Sequence, residues 1–189
     1  MMRATECLDE GLSIEDKIQM ARGLNDSWGE ELKREPDIHR LLRKLEGCLE
    51  NSREVMLELG IVEACKLCDE EGGGSCCGAG LENKFDSLLL FINLLLGVSL
   101  PNFRCRAGSC YLLSERGCLL KVRLVLCVDY LCPGILSSLN RDELLKLQNI
   151  SGDELVAGFM LYDVLKKVLR RKDLAKAMLH TKNMKTKAR

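Results

Sequence analysis

Eight of the eleven cysteines stand in two dense runs, Cys65-x-x-Cys68-x7-Cys76-Cys77 and Cys110-x7-Cys118-x8-Cys127-x4-Cys132. Thiols at this density either pair as disulfides in an oxidising compartment or hold a soft metal in a reducing one. The N-terminal residues Glu6, Asp9 and Glu10 put acids where an export signal needs an apolar core, so a cytoplasmic setting is expected. An odd total of eleven also fits a bridge framework poorly. The expectation is therefore a metal centre ligated by Cys65, Cys68, Cys76, Cys77, Cys110, Cys118, Cys127 and Cys132.

The donor set narrows the metal. His39 lies in an exposed-looking helical stretch and His180 in a basic tail, so neither reads as a ligand. An all-sulfur site suits zinc or an iron–sulfur cluster and excludes magnesium and calcium. The spacing departs from zinc-ribbon knuckles and from ferredoxin runs. So many thiols exceed what one structural zinc can use, which favours iron–sulfur, with zinc as the alternative. Adjacent side chains such as Cys76 and Cys77 diverge, so they can serve different metals, and eight ligands permit two four-cysteine sites. Cys7 and Cys48 fall in or near helical patterns and read as small hydrophobes. Cys105 is flanked by Arg104 and Arg106, cations that favour a thiolate. Arg123, between Cys118 and Cys127, is either a salt-bridge or carbonyl partner or a cation that neutralises thiolate charge. Tyr111 and Tyr130 read as core residues with a hydrogen-bonded hydroxyl.

The elements that must position these residues are mainly helical. Ser13 and Asp16 can cap a helix whose apolar positions Ile14, Ile18, Ala21, Leu24, Trp28 and Leu32 recur at helical steps, to about residue 34. Pro36 opens a second helix through Leu45, Leu49, Met56 and Leu59, with a break near Asn51-Ser52 and a stop at Gly60. The run Leu88 to Leu100 is about thirteen residues long and contains Asn93, too short to cross a membrane. It reads as a core helix from near Glu82 to Gly97, closed by Pro101. Cys110 to Lys121 reads as a short hairpin that brings Cys110 and Cys118 together, and Val122 to Leu131 as a helix with Cys127 at its middle and Cys132 at its end. Ser151-Gly152-Asp153-Glu154 matches a capping box that opens a further helix. The expected fold is mainly α: a helical region over 1–60, a cysteine-rich core over 61–140, and C-terminal helices over 141–189, packed as one domain.

The pattern C-x-x-C, a vicinal pair, then Cys110-Tyr111-Leu112-Leu113 and Cys118 through Arg123, Cys127, Tyr130 and Cys132 resembles the YkgJ-type cysteine-cluster family, the putative zinc- or iron-chelating domain. The resemblance spans about Cys65 to Cys132. It implies a metal- or cluster-binding module and places Arg123 in the family's order of cysteine, arginine, cysteine and aromatic. The gap from Cys68 to the Cys76-Cys77 pair is longer than the family's usual step, and Leu124 stands where a proline commonly follows the arginine.

Composition limits the remaining choices. Hydrophobic residues at 47% and charged residues at 30% describe a soluble globular chain, and aromatics at 4% leave an aliphatic core. The acidic, glycine-rich stretch Asp69 to Ser75 is either a flexible surface loop or a source of backbone N–H groups for cluster sulfurs. No nucleophile–base pair, phosphate-binding glycine loop or paired carboxylates stand out. The chain reads as an accessory or interaction module; the alternatives are an iron–sulfur redox enzyme or electron carrier, and a zinc-organised RNA- or protein-binding module. Lys166, Lys167, Arg170, Arg171, Lys172, Lys176, Lys182, Lys185, Lys187 and Arg189 face only Asp173 in the C-terminal stretch. This basic helix is a solvated end or a docking surface for an unidentified acidic protein, with nucleic acid a lesser option and a membrane excluded.

Overall fold

The computed structural model describes residues 9, 11–70 and 76–187, with the side chains of 69, 70 and 173–187 outside the description. Cys7, Gly72 to Ser75 and Arg189 lie outside the described residues, as do the side chains of Asp173, Lys176, His180, Lys182, Lys185 and Lys187.

Eight α-helices, α1 to α8, make up most of what is described. α1 (Ile14–Leu24) opens with the expected capping box: Asp16 N–H donates to Ser13 Oγ at 3.1 Å and the Asp16 carboxylate accepts from the Ser13 backbone. One π-turn, Asn25–Gly29, joins α1 to α2 (Glu30–Arg34), so the helical path reaches residue 34 as expected but with a bulge. α3 (Pro36–Glu58) runs unbroken through Asn51-Ser52, against the expected break. Ser52 is buried there, facing inward from a helix whose neighbours hold it. Gly60, at φ +69°, turns the chain into α4 (Ile61–Glu70), which carries Cys65 and Cys68; a side chain at this φ would be strained.

α5 (Ser87–Leu95) starts later than expected, because Glu82 lies in a separate 3-10 turn, Leu81–Lys84, and Phe85 is extended. Asp86 caps α5 by accepting from Leu89 N–H at 2.7 Å, and Gly97 follows its end at φ +78°. Among the described residues no helix is long and apolar enough to cross a membrane.

The hairpin is real but small: β1 (Leu113–Ser114) pairs antiparallel with β2 (Gly117–Cys118), so Cys118 lies opposite Leu113 rather than Cys110. The expected ten-residue helix from Val122 is shorter. α6 (Val125–Asp129) ends at Tyr130, whose extended backbone leads to Cys132, the residue before Pro133 that caps α7 (Pro133–Ser138). Pro133 holds the residue before it, Cys132, in extended geometry. α8 (Arg141–Lys187) then begins eleven residues before the expected capping box. Its real start is Asn140, whose Oδ1 accepts from Asp142 and Glu143 N–H at 2.9 and 3.0 Å while Glu143 reaches back to Asn140 N–H at 2.8 Å. Ser151 and Glu154 are consequently mid-helix and buried.

The main core draws Ile14, Ile18, Leu32, Leu45, Leu90, Phe91, Leu112, Val122, Leu161 and Leu165 from the whole length of the described chain. Fully burying each aliphatic side chain contributes about 1.5–3 kcal/mol. α3 and α8 form the most extensive helix pairing. A second cluster, Val55, Met56, Ile61, Ile135 and Leu147, joins the end of α3, the start of α4, α7 and α8, with Leu131 and Cys132 packed on it.

Candidate metal centre

Cys65 and Cys68 are three residues apart on α4, a spacing that puts both on one helix face, and both are exposed. The root of α4 and the start of α7 share the second core cluster, so Cys132 is carried toward them from sixty-odd residues away. Burial raises the Cys65 thiol above its ordinary value, and the negative charge of Cys132, Cys76 and Cys68 raises it further, with Arg123 opposing. Cys68, Cys76 and Cys132 therefore lie within electrostatic reach of Cys65.

The second neighbourhood is built on backbone pairing. Cys110 N–H donates to Cys77 O at 2.6 Å, Ala79 N–H to Gly108 O at 2.8 Å, and Gly78 bridges Ser109. One buried ion pair clamps both strands of this ladder. Arg104 donates to Ser109 O on one side and to the Glu82 carboxylate, which accepts from Gly80 N–H at 2.9 Å, on the other. Burial works to raise the Glu82 carboxyl, but the Arg104 bond and backbone donors hold it below the ordinary value. Arg104 also lies over the Tyr111 ring, 5.5 Å from its centroid, and Tyr111 is buried as expected, whereas Tyr130 is 53% exposed and not a core residue.

Burial pushes the Cys77 thiol up to about 12, with Cys118, Cys127, Cys110 and Cys65 adding. Burial pushes Cys110 up to about 11, opposed by the Leu112 backbone and reinforced by Glu82, Cys118 and Cys127. Cys118 sits on an exposed hairpin residue, yet crowding by the protein raises its thiol against the Leu120 backbone and Arg123. Cys127 is raised by burial and by Cys118, and lowered by Arg123 and the Leu124 backbone. Cys77, Cys110 and Cys127 thus feel the charge of Cys118, and Cys77, whose carbonyl pairs with Cys110 N–H, feels Cys65 as well. Backbone groups that favour the ionised form at Cys110, Cys118 and Cys127 are what a thiolate site requires.

Arg123 reaches both neighbourhoods. Its guanidinium favours the thiolates of Cys65, Cys118 and Cys127, and also stands 3.9 Å from Glu154 and 3.6 Å from Met56 Sδ. It is an ion-pair partner of Glu154, and its charge favours the ionised form of the nearby thiols. The chain before it is fixed by Asn93, fully buried on α5. Asn93 donates to Leu89 O and Val122 O at 3.0 and 2.9 Å and accepts from Lys121 and Val122 N–H at 2.9 and 3.0 Å.

All described cysteines are free thiols, and among the described residues no group of three or more His, Cys, Asp or Glu side chains stands in metal-coordinating geometry. Cys48 packs partly buried against the core, as expected of a small hydrophobe, Cys105 is exposed, and His39 is exposed.

Three supports lie outside what the sequence pattern signals. Asn93 shows there only as a lone amide in an apolar run, Arg104 only as a cation beside Cys105, and Glu154 only as part of a capping-box pattern. No family model, no curated protein and no solved structure matches this chain.

Proposed function

We propose that this protein binds metal through two adjoining four-thiolate sites, Cys65, Cys68, Cys76 and Cys132 in one, and Cys77, Cys110, Cys118 and Cys127 in the other. The observation that carries the reading is that Cys65, Cys77 and Cys110, raised first by burial, also feel the charge of cysteines from both runs or from the other end of their own. A soft cation would displace the protons of these thiols and offset the charge that the thiolates would otherwise impose on one another. The donor set fits an iron–sulfur cluster or zinc, and the number of sulfurs favours the former. Bound there, either group would tie α4, the hairpin, α6 and α7 together, and iron–sulfur would add electron transfer. The resemblance of Cys65 to Cys132 to the YkgJ-type family supports the same reading, in a cytoplasmic setting.

The residues themselves hold and tune the centre. Arg123 offsets thiolate charge in both sites, the Leu112, Leu120 and Leu124 backbone favours the ionised sulfurs, and the Arg104–Glu82 clamp fixes the Cys77 to Cys110 spacing. Nothing in the arrangement supplies a nucleophile–base pair, so the role is that of an accessory or interaction module. The docking of an acidic partner to α8 narrows to Arg170 and Arg171, which are exposed, because Lys167 pairs with Asp163 at 2.6 Å and Lys172 turns inward over the Trp28 ring at 4.3 Å.

The ligand boundary is testable. Cys65→Ser, Cys118→Ser and Cys127→Ser are expected to lose metal and, with it, the stability that metal binding adds to the fold. Cys48→Ser is expected to keep the metal. Equal metal loss from all four variants would show that the boundary is drawn wrongly.

A further inference from the structure

α8 has an inward and an outward face. Ala157, Leu161, Leu165 and Leu169 are buried in the main core, on the side where α8 packs against α3. On the opposite side Val156 is 58%, Phe159 71% and Met160 42% exposed. Exposed apolar residues standing singly are ordinary, but these three are spaced three and four apart and make one ridge. Leu145, also exposed, lies on the same face about three turns earlier.

The charges beside this ridge are sorted by sign along the helix. Asp153 precedes it, and Arg170 and Arg171 follow it. All three are exposed, and none has an ion-pair partner among the described residues. Asp163 and Lys167, between the ridge and the arginines, neutralise each other at 2.6 Å. The face is therefore apolar at its centre, with a free carboxylate on its N-terminal side and two free guanidinium groups on its C-terminal side.

We propose that this face binds the same face of a second copy of the chain, the two α8 helices lying nearly antiparallel about a two-fold axis between Phe159 and Met160. The charge order carries the choice of occupant. With the axis there, Phe159 stands opposite Met160 of the second copy, and Asp153 opposite its position 166. Arg170 is four residues further on, about 6 Å along the axis, and an extended arginine side chain spans that gap to the carboxylate. The two-fold axis makes each of these contacts twice. A parallel pair would set Asp153 against Asp153 and arginine against arginine, so the charges select the antiparallel order. The acidic partner proposed above for Arg170 and Arg171 is then a second copy of this chain, and the pairing does not depend on the metal. Two crossing helices cover less than the roughly 1,600 Å² of a standard interface, so the dimer is reversible, with a Kd on the order of micromolar.

Sedimentation equilibrium of the full-length, reduced protein tests this, at concentrations from well below to well above that Kd, as purified and again after treatment with a chelator. A monomer–dimer equilibrium is expected in both preparations. Phe159→Asp should weaken it by about a hundredfold or more, because symmetry alters the side chain twice. Asp153→Lys, and separately Arg170→Glu with Arg171→Glu, should each weaken self-association by about tenfold. Mixing these two charge variants should restore association, since each unlike pair then has one carboxylate facing one cation at both ends. All the altered positions are exposed, so unchanged far-ultraviolet circular dichroism is expected and checks that each variant is folded. A chain that stays monomeric at every concentration overturns the proposal and leaves the metal reading standing. So does a dimer indifferent to these variants, which would use another face, or one abolished by the chelator, which would be bridged by metal. Failure of the mixed variants to recover overturns the antiparallel pairing.

Discussion

Removing the Asn93 amide should loosen the second cysteine run from the core. Asn93 is fully buried and is the only link described here that satisfies both backbone polar groups of Val122, a residue itself 5% exposed. In Asn93→Leu the side chain keeps a similar size, but Val122 N–H and C=O lose their partners, and Lys121 N–H loses its own. Each buried orphan costs about 1–3 kcal/mol, so the two on Val122 set an expected loss of about 2–6 kcal/mol, reduced somewhat by the apolar surface that leucine buries. Against a total stability of about 5–15 kcal/mol this is a large fraction. Equilibrium urea unfolding of the reduced, metal-free protein measures it, with an unchanged m-value as the check that both states are comparable. Because Lys121-Val122 lies between Cys118 and Arg123, the variant should also bind metal more weakly. A loss under about 1 kcal/mol with metal affinity intact would refute the idea that this amide holds the site.

Alkaline pH should destabilise the metal-free protein. Cys77 and Cys110 titrate at about 12 and 11 when folded against an ordinary thiol value of 9.0, so each favours folding below that value and loses its contribution as pH rises toward its folded value. The slope is at most about 1.4 kcal/mol per pH unit for each group. Urea midpoints at pH values of about 8 and 10.5 should fall for the unloaded protein and change little once zinc has already taken the protons' place; a flat profile without metal contradicts the shifts. Arg104→Ala should cost about 3–5 kcal/mol by leaving the buried Glu82 carboxylate without its cation, while also freeing the Ser109 to Gly80 ladder. Thermal unfolding checks it, and Arg104→Ala behaving like the exposed-pair variant Arg40→Ala would rule the clamp out.

Periodicity and punctuation in this chain were good guides where local rules decide. The Ser13 cap, the Pro36 start, the Gly60 stop and the Gly97 stop are set by a few adjacent residues, and they stand where those residues put them. What was not legible depends on distant partners. Ser151-Gly152-Asp153-Glu154 has the composition of a cap, but Asn140 and Glu143 had already opened the helix, and tertiary packing against α3 buries Ser151 and Glu154 within it. The thiols themselves were conspicuous in the sequence. Which cysteines lie near one another follows from backbone pairing between Cys77 and Cys110 and from the shared cluster under α4 and α7, neither of which spacing encodes. Polar supports such as Asn93 and Glu82 look in sequence like interruptions of an apolar pattern, because their value lies in bonds to residues about twenty to thirty positions away.

The central claim is that the eight thiols hold metal, and elemental analysis of anaerobically purified protein tests it most directly when combined with acid-labile sulfide and thiol titration of the folded state. The account predicts stoichiometric iron with sulfide, or stoichiometric zinc, with Cys65, Cys68, Cys76, Cys77, Cys110, Cys118, Cys127 and Cys132 protected until the metal is removed. Protein that is folded and free of metal, with all eight thiols titrating at once, would contradict it.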